Sequence, residues 1–427
     1  MQPRLHATLF SSITLRATAA LLLIASGCSD PRAGAGVAAP RENESAARGL
    51  TADKSLAAFQ YELLELAFKT ASSLPVEPHL KSRSRAQETV VLACLELEQP
   101  RRAESYIGKI DNWRRGLAYA NLAFYWAQHG DAGQAQRCLD LAAAIAESPE
   151  GESPQEWRRD RIRVQMAKTY LLLGDAGRAA QLEAGVVDSE GGKTDAVSVM
   201  QMSEEAFDDK MKALDHVVLS GNLDRVRNAM ATLARLFDRF YADQARGAQV
   251  EEKLKAAGMR LPVTIRIEAL LDLAGCALEH QDSAKAVALL DDARSQMQVS
   301  DWTRETELPL RARWAQLRYR AGDAERARRE ADAALAEFAT ARHEIVNIER
   351  AGVLRPIAEA YQSFRDTRKA LELYKQALEE GVENPNSRPR AGDLTATCCS
   401  MALHGVEPDE ALRERMSQVY DALGEPW

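Results

Sequence analysis

Aromatic residues make up only 6% of this 427-residue chain, and the alternating Val/Ile/Thr-rich runs that mark strands are scarce. That scarcity argues against a β-sandwich and against an enzyme built on a parallel sheet. Basic charge is not in excess: 55 Lys+Arg stand against 63 Asp+Glu, a net charge of -8, which argues against indiscriminate nucleic-acid binding. The six cysteines form no C-x-x-C, and the seven histidines form no H-E-x-x-H pair and no zinc-finger spacing with cysteine. A Walker phosphate loop, a G-x-G-x-x-G after a strand and a G-x-S-x-G elbow are all missing. No catalytic, cofactor-binding or metal-ligating set is therefore read from the sequence. What is abundant is Ala and Leu, with 46% hydrophobic residues overall, enough to bury a substantial core.

The N-terminus reads as an address. Arg4 and Arg16 supply positive charge, no acidic residue precedes Asp30, and the apolar run from Ala17 to Ala25 is too short to span a bilayer, which needs about 20 residues. The run ends in Ala25-Ser26-Gly27-Cys28. This resembles the lipobox of bacterial lipoproteins, although Ala25 stands where Leu is commoner. The resemblance implies cleavage after residue 27, diacylglycerol on the Cys28 thiol and acylation of its amine. With about 0.8 kcal/mol per buried CH₂, two or three acyl chains hold a soluble body at a membrane. The chain is thus expected to be exported and anchored to a bacterial membrane facing the periplasm, with inner or outer membrane left open. Residues 28–52 are small, polar and carry Pro and Gly, the composition of a tether.

From about residue 53 to 427 the pattern is helical and repetitive. Amphipathic stretches meet at short turns: Gly130-Asp131, Gly174-Asp175, Gly221-Asn222, Gln281-Asp282, Gly322-Asp323 and Arg365-Asp366, with weaker copies near Glu98 and Val406. A left-handed residue ends one helix and Asp or Asn caps the next, so the recurrence predicts stacked helical hairpins. Residues around the turns, such as Leu354…Ile357-Ala358…Tyr361…Ala370…Tyr374…Ala377 and Tyr119…Leu122-Ala123…Trp126…Ala135…Leu139…Ala142, resemble the tetratricopeptide pattern. The resemblance implies an all-α fold: a right-handed α-solenoid of about eight or nine antiparallel hairpins. The turns lie 41–47 residues apart, with one gap of 60 between Gly221 and Gln281, whereas the ordinary repeat is about 34 residues. The long gap is assigned to a long helix through Tyr241 plus an inserted segment from Ala242 to Pro262. Asp188 to Asp195 interrupts the pattern and reads as a long loop or a break between lobes near 188–200. Its Gly191-Gly192-Lys193-Thr194 resembles a phosphate loop only superficially, with no leading glycine. Pro385 and Pro389 mark a second loop.

A solenoid offers an extended inner surface lined by the first helix of each hairpin. Asn121, Phe124, Gln128, Arg161, Gln165, Lys168, Arg313, Gln316, Arg320 and Arg355 fall at positions expected there. Asn121 sits where carboxylate-clamping tetratricopeptide domains place an Asn, but the basic partners of that clamp do not recur, and a consensus structural role is favoured. The arginines from Arg311 to Arg329 form either an anion-binding patch or a solvated face balanced by Asp323, Glu325 and Glu330. Cys94, Cys138, Cys276, Cys398 and Cys399 are read as buried small hydrophobes; Cys398 and Cys399 with His404 are not read as a metal site, because adjacent helical side chains point apart. The expectation is a membrane-tethered, non-enzymatic scaffold without cofactor, binding an unidentified envelope protein or peptide. The alternatives are an α/α-solenoid enzyme acting on envelope polysaccharide and a structural protein without a stable partner.

Overall fold

A computed structural model describes residues 53–148, 155–299 and 301–427. The expected signal peptide, Cys28 and tether lie outside the described residues. Among those residues there are nineteen α-helices and no strand. Residues 53–427 form one compact unit.

Helix α1 (Ala58–Ser73) precedes a run of antiparallel pairs. These are α2 (Leu80–Glu96) with α3 (Pro100–Ile107), α4 (Arg114–Gln128) with α5 (Ala132–Glu147), and α6 (Glu156–Leu172) with α7 (Ala176–Glu183). An irregular unit follows, made of the single-turn α8 (Asp195–Ser198) and α9 (Phe207–Leu219). Regular pairs then resume as α10 (Leu223–Arg239) with α11 (Gln244–Gly258), α12 (Val263–Glu279) with α13 (Ser283–Gln298), and α14 (Arg304–Arg320) with α15 (Ala324–Ala341). The last are α16 (Asn347–Ser363) with α17 (Thr367–Val382), and α18 (Ser387–His404) with α19 (Glu410–Asp421). Eight hairpins and one reduced unit make an all-α solenoid.

The turns follow from local chemistry. Glu98, Gly130, Gly174, Gly221, Gln281, Gly322, Arg365 and Gly405 all have positive φ, between 57° and 98°. The residue after six of them, Asp131, Asp175, Asn222, Asp282, Asp323 and Asp366, accepts a hydrogen bond from the backbone N–H three residues on, at 2.8–3.2 Å. Each cap satisfies one of the donors that a helix start leaves unpaired. Between the helices the seam is alanine. Ala118, Ala120, Ala123, Ala135 and Ala142 of the α4–α5 hairpin are fully buried, as are Ala358, Ala360, Ala370 and Ala377 of α16–α17. At Gly116 even a methyl group is too much, since a Cβ there would come within 2.9 Å of Ile145 and Ile162.

Two sequence readings need correction. No long helix runs through Tyr241: α10 ends at Arg239, and Asp243 caps α11 through Arg246 N at 3.1 Å. Residues 242–262 thus supply the second helix of an ordinary hairpin, and Gly221-Asn222 is a junction between units. The extra length lies earlier, where residues 185–203 replace a first helix. That segment is tied to both neighbours. Asp160 of α6 accepts from Val187 N at 3.1 Å, Asn228 of α10 donates to Gly191 O at 2.8 Å, and Arg225 pairs with Asp188 at 2.8 Å. The expected interruption is present as a loop, since residues 185–194 form no helix, and these bonds tie it to the hairpins on both sides. Pro389, in turn, is not in a loop but in the first turn of α18, where its missing N–H costs nothing.

The stack closes on itself. Successive first helices pack in order from α2 to α18, and α18 then packs against α2 and against α1. In this arrangement α1 takes the place of a second helix for α18. Gln60 Nε2 donates to Ala402 O at 2.8 Å, and Thr395 Oγ1 lies 3.5 Å from Ala67 O. Helix α19 packs farther out, with Lys375–Asp409 at 2.5 Å and Arg415–Glu379 at 2.7 Å joining it to α17.

Arg365 holds a left-handed conformation at φ 62° that glycine adopts without a Cβ penalty. Arg365→Gly is therefore expected to raise stability by about 1 kcal/mol, and Asp366→Ala to lower it by about 1 kcal/mol. Both are read as opposite shifts of the urea midpoint.

Candidate binding surface

The first helices present a polar stripe on the side away from their buried alanines, and its charge changes character around the stack. From α12 to α18 it is a ladder of ion pairs between neighbouring first helices. Arg313 meets Asp272 at 2.5 Å, Arg320 meets Glu279 at 2.6 Å, and Arg355 meets Asp393 at 3.1 Å. Gln316 donates to Pro356 O at 3.3 Å, and Ser400 to Glu359 at 2.6 Å. Burial holds the Asp393 carboxyl above the usual carboxylate range although Arg355 opposes it.

The remaining arginines of this region are also engaged. Arg311 is buried against Glu330, at 2.5 Å, and Glu337; Arg318 is buried against Asp291 at 2.8 Å and Asp323 at 2.9 Å. Arg329 pairs with Glu325, and Arg328 donates to Phe364 O at 2.9 Å. Asp323, Glu325 and Glu330 are thus each matched to an arginine. Arg313, Gln316, Arg320 and Arg355 share one surface, with their polar ends directed to a neighbouring helix.

From α2 to α10 the balance is different. Arg85, Arg114, Arg161, Lys168 and Lys193 lie within electrostatic reach in sequence, Arg85 to Arg114 to Arg161 and on to both lysines. Glu88 pairs with Arg114, and Glu190 with Lys193 at 2.8 Å. Glu183 also reaches Lys168 weakly, but is hydrogen-bonded by Thr194. Asp224 also acts on Lys193. Burial, reinforced by Lys193 and Arg161, pushes the Lys168 ammonium down to about 8; Glu190 and Glu183 pull the other way. Burial also lowers Lys193 despite its bond to Glu190. On α4, next to this stretch, Asn121 and Phe124 are half-buried and Gln128 is exposed; Gln165 on α6 is half-buried. The expected surface residues thus divide. Lys168, Arg161 and Gln165 sit on α6 in the α2–α10 stretch, and the later arginines in the ladder.

Sequence reasoning passed over Arg85 and Arg114, and met Lys193 only as part of a loop. It also passed over the meeting of Asp238, Cys276 and His280, whose ligand atoms lie within 4.8 Å of one another. The signal for such meetings is an offset of 41–42 residues, one repeat, seen in Arg313–Asp272, Arg320–Glu279 and His280–Asp238. Of the other cysteines, Cys94, Cys138, Cys398 and Cys399 are buried free thiols, and burial pushes Cys138 and Cys398 up to about 12. His404 is exposed at the end of α18, with Nδ1 against Ser400 O at 2.9 Å. A pocket of about 330 Å³ between α10 and α13 has Lys255, Arg266 and Asp292 as its ionisable lining, and Lys255 and Asp292 are paired at 3.1 Å. Among the described residues no helix is long and apolar enough to cross a membrane.

The fold and surface define an all-helical hairpin-repeat protein. No family model matches the chain, and no curated protein matches it.

The depressed Lys168 gives a pH signature. Its folded pKa lies below its unfolded value, so the unfolded chain binds more protons in between, and stability rises as pH climbs from about 8 through the unfolded value. Lys168→Met is expected to stabilise the protein at pH 7 by on the order of 2 kcal/mol, with the gain shrinking as pH approaches 10. Urea unfolding of both chains across that range checks it.

Proposed function

We propose that this chain is a lipid-anchored, non-enzymatic binding scaffold of the bacterial envelope, a divergent relative of tetratricopeptide solenoids, and that it takes an anionic segment of a partner protein along the α2–α10 part of its inner surface. The observation that carries the reading is the Lys168 ammonium, whose charge is disfavoured by burial and by Lys193 and Arg161 nearby, beside a ladder in which charges of opposite sign already satisfy each other. A lysine whose charge is disfavoured gains most from an incoming carboxylate, because the bound anion restores the stabilisation that burial removed. The half-buried Phe124 and Gln165 beside it offer apolar and hydrogen-bonding contact. The anchor rests on Cys28 and the lipobox-like residues before it, and localisation to the periplasmic side of a membrane follows from the same motif.

The test is photo-crosslinking in the native envelope from a reactive residue placed at Gln165. The reading expects an acidic partner band that falls at least tenfold in Lys168→Glu/Lys193→Glu and persists in Lys212→Glu, a reversal on α9. Cys28→Ala is expected to release the chain from the membrane fraction. Bands that are indifferent to the Lys168/Lys193 reversal would overturn the binding surface, and unchanged membrane retention would overturn the anchor.

A further inference from the structure

Cys276 and His280 are four residues apart on α12 and its C-cap, so one helix face carries both. Asp238 reaches them from α10, the neighbouring first helix. Its Oδ1 lies 3.6 Å from Cys276 Sγ and 2.9 Å from His280 Nε2. Bond lengths of about 2.3 Å for sulfur and 2.0–2.2 Å for nitrogen and oxygen around a tetrahedral zinc set ligand separations near 3.6 Å for S···O and about 3.4 Å for N···O. The first is already met, and the second needs a shift of a few tenths of an ångström.

The surroundings hold the set in place. The His280 ring stacks on Tyr241, centroids 4.2 Å apart and 4° from parallel. Tyr241 in turn donates to Asp282 at 2.9 Å, the residue that caps α13. Such support fixes the ring's orientation before any ion arrives. The charges facing the set are Arg235, 3.9 Å from Asp238, and Glu279, which is paired with Arg320. Cys276 and Asp238 are half-buried and His280 is exposed, which gives an ion a path in and leaves a fourth position to water.

We propose that Asp238, Cys276 and His280 form a binding site for a divalent transition-metal ion of the zinc class, bridging α10 and α12. A thiolate, a carboxylate and a neutral imidazole carry two negative charges, matched to a dication, and the sulfur and nitrogen donors select against calcium and magnesium. Binding replaces the thiol proton, which is released to solvent. The ion would clamp two neighbouring hairpins at the point where the basic stretch gives way to the ladder.

The test uses the full chain titrated with Co²⁺ and then Zn²⁺. The proposal expects one equivalent of Co²⁺ to give a thiolate-to-metal charge-transfer band, displaced by Zn²⁺, absent in Cys276→Ser and kept in Cys138→Ser. Zn²⁺ affinity is expected to fall roughly 10–100-fold in His280→Gln and in Asp238→Asn, with far-ultraviolet circular dichroism unchanged. Zinc should also raise the unfolding temperature of the wild-type chain and not of Cys276→Ser. A charge-transfer band that survives Cys276→Ser, or Zn²⁺ binding equal in wild-type and His280→Gln chains, overturns the site.

Discussion

Everything in this molecule depends on how closely two helices can approach. Alanine at the crossing points lets the helices of a hairpin pack with little between them, and the buried alanines of α4–α5 and α16–α17 show the same device far apart in the chain. Large side chains then fill the spaces around those crossings: Trp314, Tyr374, Phe338 and Leu122 are essentially fully buried. Protein interiors tolerate little overpacking, so the seam sets the tilt of each unit against the next. That repeated tilt brings the eighteenth helix of the run and the first together. Helix α1 completes the unit of α18, and the two ends of the described chain become neighbours.

Closure removes the usual difficulty of a solenoid, two exposed apolar ends that need polar caps. It also turns the first helices into one continuous band. On that band the repeat offset of 41–42 residues places side chains from adjacent units face to face. Where acid meets base, as in Arg313–Asp272, the band satisfies itself; individually such half-exposed pairs contribute little, about 0–1 kcal/mol each. Where α8 replaces a full helix, the acids of the irregular segment are already engaged, Glu190 by Lys193 and Asp188 by Arg225. Burial disfavours the charge of both Lys168 and Lys193.

Hairpin order and turn positions were legible in the sequence because they are local. A left-handed residue followed by a capping Asp is written in two adjacent letters, and even Gln281 and Arg365 could be placed without glycine. The segment around Tyr241 was misread because Phe240-Tyr241-Ala242 carries no such pair, so the turn before Asp243 left no mark. Closure was not legible: the Gln60–Ala402 contact joins residues 342 apart, and nothing local records it. The surface was half legible. Helical periodicity placed Lys168 and Arg313 on one kind of stripe, but whether each met an acid depended on the neighbouring unit, 41 residues away in the case of Arg313 and Asp272.

The central claim, that α1 serves as the missing partner of α18, is tested most directly by hydrogen exchange on Ala67→Trp. Ala67 is fully buried in α1, with its carbonyl facing Thr395 of α18. The account predicts that the added bulk strips protection from residues 58–73 and 387–404 together, while α6 keeps its protection. Loss confined to 58–73, with 387–404 as protected as before, would contradict closure.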